Sequence, residues 1–167
     1  MDTQLASTKR YGEDKILTKT MINNYTKNNL LPPPVKKKYS KEHVLLLIFI
    51  YYFKNILSIK DIETVLKPLK EKYFSGEEEV ELSDLYEEVC SMEKNRIAPL
   101  QETVKAAYAR SRETFSGITD EENKEELQLF AFICNLSFDV YLKKTMIEKI
   151  IDGLAEKKAE EEPDKTK

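Results

Sequence analysis

Three consecutive prolines, Pro32, Pro33 and Pro34, set a stop near the start of this chain that no regular element can cross. Proline lacks a backbone N–H, fixes its own φ and pushes the residue before it out of the helical region. Whatever precedes the stop must end there, and whatever follows must begin anew. The two sides differ in kind. Before it lies KTMINNYTKN (residues 19–28), which is polar; after it comes VLLLIFIYYF (residues 44–53), which is almost wholly apolar. The first is too polar to be core and the second too apolar to be surface.

Thr18 is placed to cap a helix over residues 19–28 by accepting from one of its orphan amides. Met21, Ile22 and Tyr25 share one face of that helix and can dock on a core. The opposite face presents Lys19, Thr20, Asn23, Asn24 and Lys27. These side chains suit base edges, since Asn pairs bidentately with adenine and Lys donates to guanine or phosphate. The plainer reading is an ordinary amphipathic surface helix. Asn29 stands where a helix often ends in a left-handed residue, a conformation that Asn tolerates. After the prolines, Lys36, Lys37 and Lys38 occupy an extended or tight-turn segment. They form either a phosphate clamp, binding with release of counterions, or simply a solvated charge run.

Ser40 caps the next helix, expected over residues 41–55, whose apolar run leaves little polar face and so marks its domain's core. Ser58 caps a further helix to about residue 73. Asp61 closes its capping box, and Ile59, Ile62, Val65, Leu66 and Leu69 form its buried stripe. Pro68 should kink this helix or end it early.

Taken together, MINNYTKNNLLPPP (Met21 to Pro34) resembles the recognition helix and exit of the MerR-type winged helix-turn-helix family. KYSKEHVLLLIFI resembles the segment after the wing there, where a Tyr-Ser pair caps the next helix. Ser58, Ile59, Lys60, Asp61 and Ile62 resemble that family's next cap. The whole chain is also similar to a bacterial family described as a domain of unknown function that carries this signature. The resemblance implies an all-α fold: a MerR-like (winged) helix-turn-helix with a minimal wing, followed by a C-terminal helical bundle. It further implies a DNA-binding transcriptional regulator. Lys19, Thr20, Asn23, Asn24 and Lys27 would face the major groove, Tyr25 would sit at the helix–backbone contact, and Lys36, Lys37 and Lys38 would form the wing and touch phosphate. The partners implied are double-stranded DNA and a second copy of the chain in a homodimer. The wing is short and has no glycine turn. The first helix expected before residue 18 has only Leu5, Ala6, Tyr11, Ile16 and Leu17 as apolar anchors.

Charge is divided along the chain. Residues 1–70 carry 13 Lys/Arg against 6 Asp/Glu, and residues 71–167 carry 14 against 24. A basic N-terminal part beside an acidic remainder suits a DNA-facing module joined to a partner-facing one. The domain reading is 1–74 for the helix-turn-helix, 75–155 for a helical dimerisation or sensor region, and 156–167 for a disordered charged tail. The turn at Ser75 and Gly76, followed by Glu77, Glu78 and Glu79, is the boundary signal. Beyond it, helices are expected over residues 83–95, with Leu85, Val89 and Met92 on one face, and over 99–115. The inner side of the second would hold Leu100, Val104, Ala107, Tyr108, Ser111 and Phe115. Thr119 and Glu122 form a capping box for the stretch 121–154, which is either one helix or two broken near residues 135–137. Its apolar residues exceed one stripe, which points to two-sided burial or a subunit interface.

Catalysis has little to stand on. His43 is the single histidine and has no nucleophile or orienting acid beside it, so it reads as a helix-terminus or packing residue. Cys90 and Cys134 are far apart and read as buried thiols in a reducing cytoplasm. With so few Cys and His, no zinc site is expected, and the acidic pairs Glu121/Glu122 and Glu125/Glu126 read as a solvated face. No enzyme activity, metal, cofactor or membrane segment is expected, and the location read is cytoplasmic. The alternative to a regulator is a helical protein-interaction module on the same scaffold without DNA binding.

Overall fold

The computed structural model describes residues 16–75 and 79–161, with side chains as far as residue 157. Among these residues the chain is all-helical, and its extended pairing is a single bridge between Val35 and Lys38. The helices are α1 (Lys19–Lys27), α2 (Lys41–Phe53), α3 (Ile59–Tyr73), α4 (Leu82–Lys94), α5 (Ile97–Arg112) and α6 (Glu121–Glu161). Two compact units emerge. One holds the described residues up to Glu87 and those from Glu148 onward, and the other holds Glu88–Ile147. Ser75 and Glu79 fall within the first of these, while Gly76, Glu77 and Glu78, the rest of the expected boundary signal, lie outside the described residues. Residues 156–161 continue α6, while 1–15 and 162–167, on which the expected first helix and the rest of the charged tail fall, lie outside the described residues.

In the first unit α2 is the centre, as its apolar run requires. Leu45, Leu46, Leu47, Ile48 and Ile50 are all buried, at about 1.5–3 kcal/mol of transfer free energy each. Leu30 and Leu31 from the connection, Ile62 and Leu66 from α3, and Leu82 from α4 are buried with them. Ile16 packs against Ile48, joined by Leu17, Val44, Tyr51 and Tyr86. Phe49 stacks on Phe53 at 6.3 Å and meets the Tyr86 ring edge-on at 6.0 Å.

The Ser58 capping box forms as its sequence dictates. The Asp61 amide donates to Ser58 Oγ at 3.2 Å and the Ser58 amide to Asp61 Oδ2 at 3.1 Å. Ile59, expected in the buried stripe, is exposed, because the first helical position sits at the rim. Pro68 does not end α3, which runs on to Tyr73. The buried Leu66 before the proline and the anchored Lys70 after it hold the helix through the missing amide bond.

In the second unit Gln128 of α6 is buried and closes the end of α5. Its side-chain N–H groups donate to the carbonyls of Arg112 at 2.8 Å and Thr114 at 3.0 Å. Tyr108 meets Phe132 edge-on at 5.3 Å, and Arg112 pairs with Glu125 at 3.4 Å. The helix α5 ends at Arg112, and Phe115 lies beyond it with φ of 55°. The cap of α6 is Asp120 rather than Thr119, its Oδ1 accepting from the amides of Glu122 at 3.1 Å and Asn123 at 3.2 Å. An aspartate one residue nearer the helix competes better for these amides than threonine. The helix itself is unbroken past residues 135–137. Leu100, Tyr108 and Phe115, expected on an inner side, stand exposed, as do Val89 and Met92, which share one face of α4. Cys134 is exposed and Cys90 half-buried; both are free thiols, so neither is the buried cysteine expected.

Candidate nucleic-acid interface

The helix α1 is short and polar, so its order comes from its ends. Thr18 Oγ1 accepts from the Met21 amide at 3.2 Å. At the other end the Asn29 amide donates to the Thr26 carbonyl at 3.2 Å and the Leu30 amide to the Tyr25 carbonyl at 2.9 Å. These two bonds make a complete Schellman motif, with Asn29 in the left-handed conformation at φ of 56° and the buried Leu30 and Tyr25 as its apolar contact. The Lys70 ammonium, reaching across from α3, donates to the Asn29 carbonyl. Burial lowers the Lys70 pKa from its ordinary value, partly offset by Glu63 and Glu71. An open cavity of about 470 Å³ lies here, lined by Thr26, Asn29, Pro33, Lys67 and Lys70 among others.

Lys19, Thr20, Asn23, Asn24 and Lys27 are all exposed, on the face expected of them. Tyr25 is placed differently. It is only 6% exposed, and burial raises its phenol pKa, so it anchors α1 to the core instead of joining the solvent-facing set.

Lys36, Lys37 and Lys38 are exposed as well, but not on an extended arm. Val35 and Lys38 exchange two backbone bonds, of 3.1 and 2.9 Å, around a two-residue turn. Lys36 and Lys37 at the tip both have positive φ, 49° and 63°. This is the sign pattern of a type I′ turn, which normally selects Asn-Gly because L side chains crowd there. Two lysines held in that conformation are an outlier of the kind that clusters at ligand-binding positions.

The hairpin is tied down by His43, which the chemistry of the site had not required. The Ser40 amide donates to His43 Nδ1 at 3.0 Å, and the Ser40 hydroxyl lies 2.8 Å from the same atom. Because Nδ1 accepts from the amide, Nε2 carries the proton and donates to the Pro33 carbonyl at 3.3 Å. The ring is buried between Tyr39, edge-on at 5.3 Å, and Phe74 at 4.8 Å. One side chain therefore fixes both the start of α2 and the proline strand leading into the turn. The Ser40-x-x-His43 spacing is that of a capping box and could have revealed this role. Lys70 has no comparable signal, being 41 residues from Asn29 in sequence.

Between residues 19 and 38 there are five lysines and no acidic residue. The exposed set thus combines amide and hydroxyl groups on one helix with a rigid cationic turn. Such a surface suits a polyanion better than a small molecule.

A family model matches residues 1–89, a domain of unknown function, DUF1836. The chain belongs to this family. The matched residues take in α1, the lysine turn, α2, α3 and the first half of α4, so the basic surface lies within the family's shared portion. No curated protein and no solved structure matches the chain. Among the described residues no helix is long and apolar enough to cross a membrane, and no group of His, Cys, Asp and Glu is arranged to hold a metal ion.

Proposed function

We propose that this DUF1836 protein is a DNA-binding transcriptional regulator, built on a MerR-like helix-turn-helix whose wing is reduced to the turn Val35 to Lys38. Lys19, Thr20, Asn23, Asn24 and Lys27 of α1 enter the major groove, while Lys36, Lys37 and Lys38 hold the phosphate backbone. The reading rests chiefly on the strained lysine tip. A turn needed only for its shape is better served by asparagine and glycine. Lysine at both positive-φ positions keeps charge at a backbone cost, and phosphate is the partner that rewards it. A homodimer then reads two half-sites related by its two-fold axis.

The test is fluorescence anisotropy of the purified protein on a mixed-sequence duplex, from low to physiological salt. Wild type is compared with a Lys36→Ala, Lys37→Ala, Lys38→Ala variant. Wild type binds with a linear dependence of log affinity on log salt, and the variant loses up to about three phosphate contacts' worth of that slope, near 0.9 per contact. Absence of binding by wild type at low salt overturns the proposal.

A further inference from the structure

The outer face of α6 carries a pattern that the DNA-facing surface does not use. Glu126, Phe130, Ile133, Ser137, Val140 and Lys144 succeed one another at spacings of 4, 3, 4, 3 and 4. That is the alternating seam by which helices pair along their length. Its apolar members face solvent in the single chain: Phe130 is 63% exposed, Ile133 53% and Val140 58%, with Leu129 and Tyr141 exposed on its flanks. Gln128 and Phe132 face the other way, toward α5, so this part of the helix is packed there and open along the seam, while Phe138 and Leu142 further on are exposed as well. Beyond Lys144 the same register meets Ile147, which is half-buried, and then Ile151, which is buried within its own unit, so the exposed apolar seam lies within residues 126–144.

The spacing reads the same in both directions, and its two ends carry opposite charge. Parallel pairing of two copies would set Glu126 against Glu126 and Lys144 against Lys144. Antiparallel pairing about an axis near residue 135 sets each Glu126 against the partner's Lys144. It also sets Phe130 against Val140, and Ile133 against the small Ser137. The wider distribution agrees, with Asp120, Glu121, Glu122, Glu125 and Glu126 at one end and Lys143 and Lys144 at the other. With about 100 Å² free on each of the five exposed apolar residues, two copies bury roughly 1,000 Å², the lower bound for a specific interface.

We infer that α6 residues 126–144 pair with the same segment of a second copy, antiparallel, with Glu126 opposite the partner's Lys144. This deepens the dimeric part of the proposed function, but it is measured without DNA, so its failure is separate from failure of duplex binding.

The experiment uses the full chain. Sedimentation velocity on wild type shows a dimer. Lys144→Glu, which sets acid against acid twice across the symmetry axis, weakens dimerisation at least about tenfold. The swapped protein Glu126→Lys, Lys144→Glu regains it, which a variant damaged in folding cannot do. For orientation, Glu126→Cys and Lys144→Cys are each placed in a Cys90→Ser, Cys134→Ser background and oxidised alone and mixed. The mixture forms the disulfide-linked dimer and the separate proteins do not. A wild-type monomer at about 100 µM, a swap that fails to restore pairing, or cross-linking of like positions overturns the inference. In the monomer case the bare face is left to a different protein.

Discussion

Replacing Lys36 with Asn and Lys37 with Gly should make the protein more stable and a weaker DNA binder at once. At φ of 49° and 63° both lysines pay the steric penalty of the left-handed region. That penalty is about 1 kcal/mol or slightly more per residue for an L side chain, small for Asn and absent for Gly. Against this gain stands the greater chain entropy that Gly gives the unfolded state, about 0.5–1 kcal/mol. The net expectation is about 1 kcal/mol of added stability, or a rise in Tm of about 2–4 °C for a chain of this size. The same change removes two exposed charges, so the salt slope of duplex binding falls by about 1.8. Stability is read by urea unfolding followed with far-UV circular dichroism, since the chain has no tryptophan, and binding by anisotropy. Lys36→Ala with Lys37→Ala is the control. It removes the same charges but keeps a Cβ at both strained positions, so binding falls with no gain in stability. If the Asn-Gly protein is not stabilised, or the Ala-Ala protein is stabilised equally, the strain argument is refuted. If Asn-Gly binds duplex as tightly as wild type, the lysines are not kept for phosphate.

His43→Leu leaves the Ser40 amide and the Pro33 carbonyl without their partners; about 2–4 kcal/mol should be lost in urea unfolding, and the Val35 and Lys38 amides should exchange faster with deuterium. Asn29→Ala should cost about 1 kcal/mol while Asn29→Gly is neutral or stabilising, because the Schellman position at φ of 56° resists a Cβ; thermal unfolding of the pair decides it. The Glu42 carboxyl is held below its ordinary value, first by its hydrogen bond with Ser40. A depressed carboxyl stabilises the fold above its unfolded pKa and loses that contribution as pH falls through the folded one. Glu42→Gln should therefore flatten the acid-side fall in Tm, and an unchanged profile would refute this assignment.

How far the fold could be read depended on whether the deciding interaction was local. Thr18, Asn29, Ser58 and Asp61 act within a few residues of themselves, and each was legible in the sequence. The run Val44 to Phe53 was legible as core because nothing but burial suits it. The lysine turn was read only as extended or tight, since the usual residues of a type I′ turn are missing and the backbone is held there by His43 instead. Asp120 displaced Thr119 as a cap by a shift of one residue, below the resolution of propensity arguments. In the C-terminal half, periodicity marked Val89, Met92 and Leu100 as one-sided but could not say what covers them, and they are exposed in the single chain. The basic set on α1 was legible as a face, and Tyr25 separated from it because its burial depends on residues brought in from elsewhere.

The fastening of α1 at both ends has an entropic consequence. A nine-residue helix with few apolar side chains does not persist in water by itself, since nucleation is unfavourable and propagation has too little length to recover it. Thr18, the Schellman turn and the Lys70 tether hold it formed before any ligand arrives. Ordering such a segment on binding would cost about 1–2 kcal/mol per residue. Here that cost is met during folding, and a partner reaching Asn23, Asn24 and Lys27 meets a surface already in its final shape.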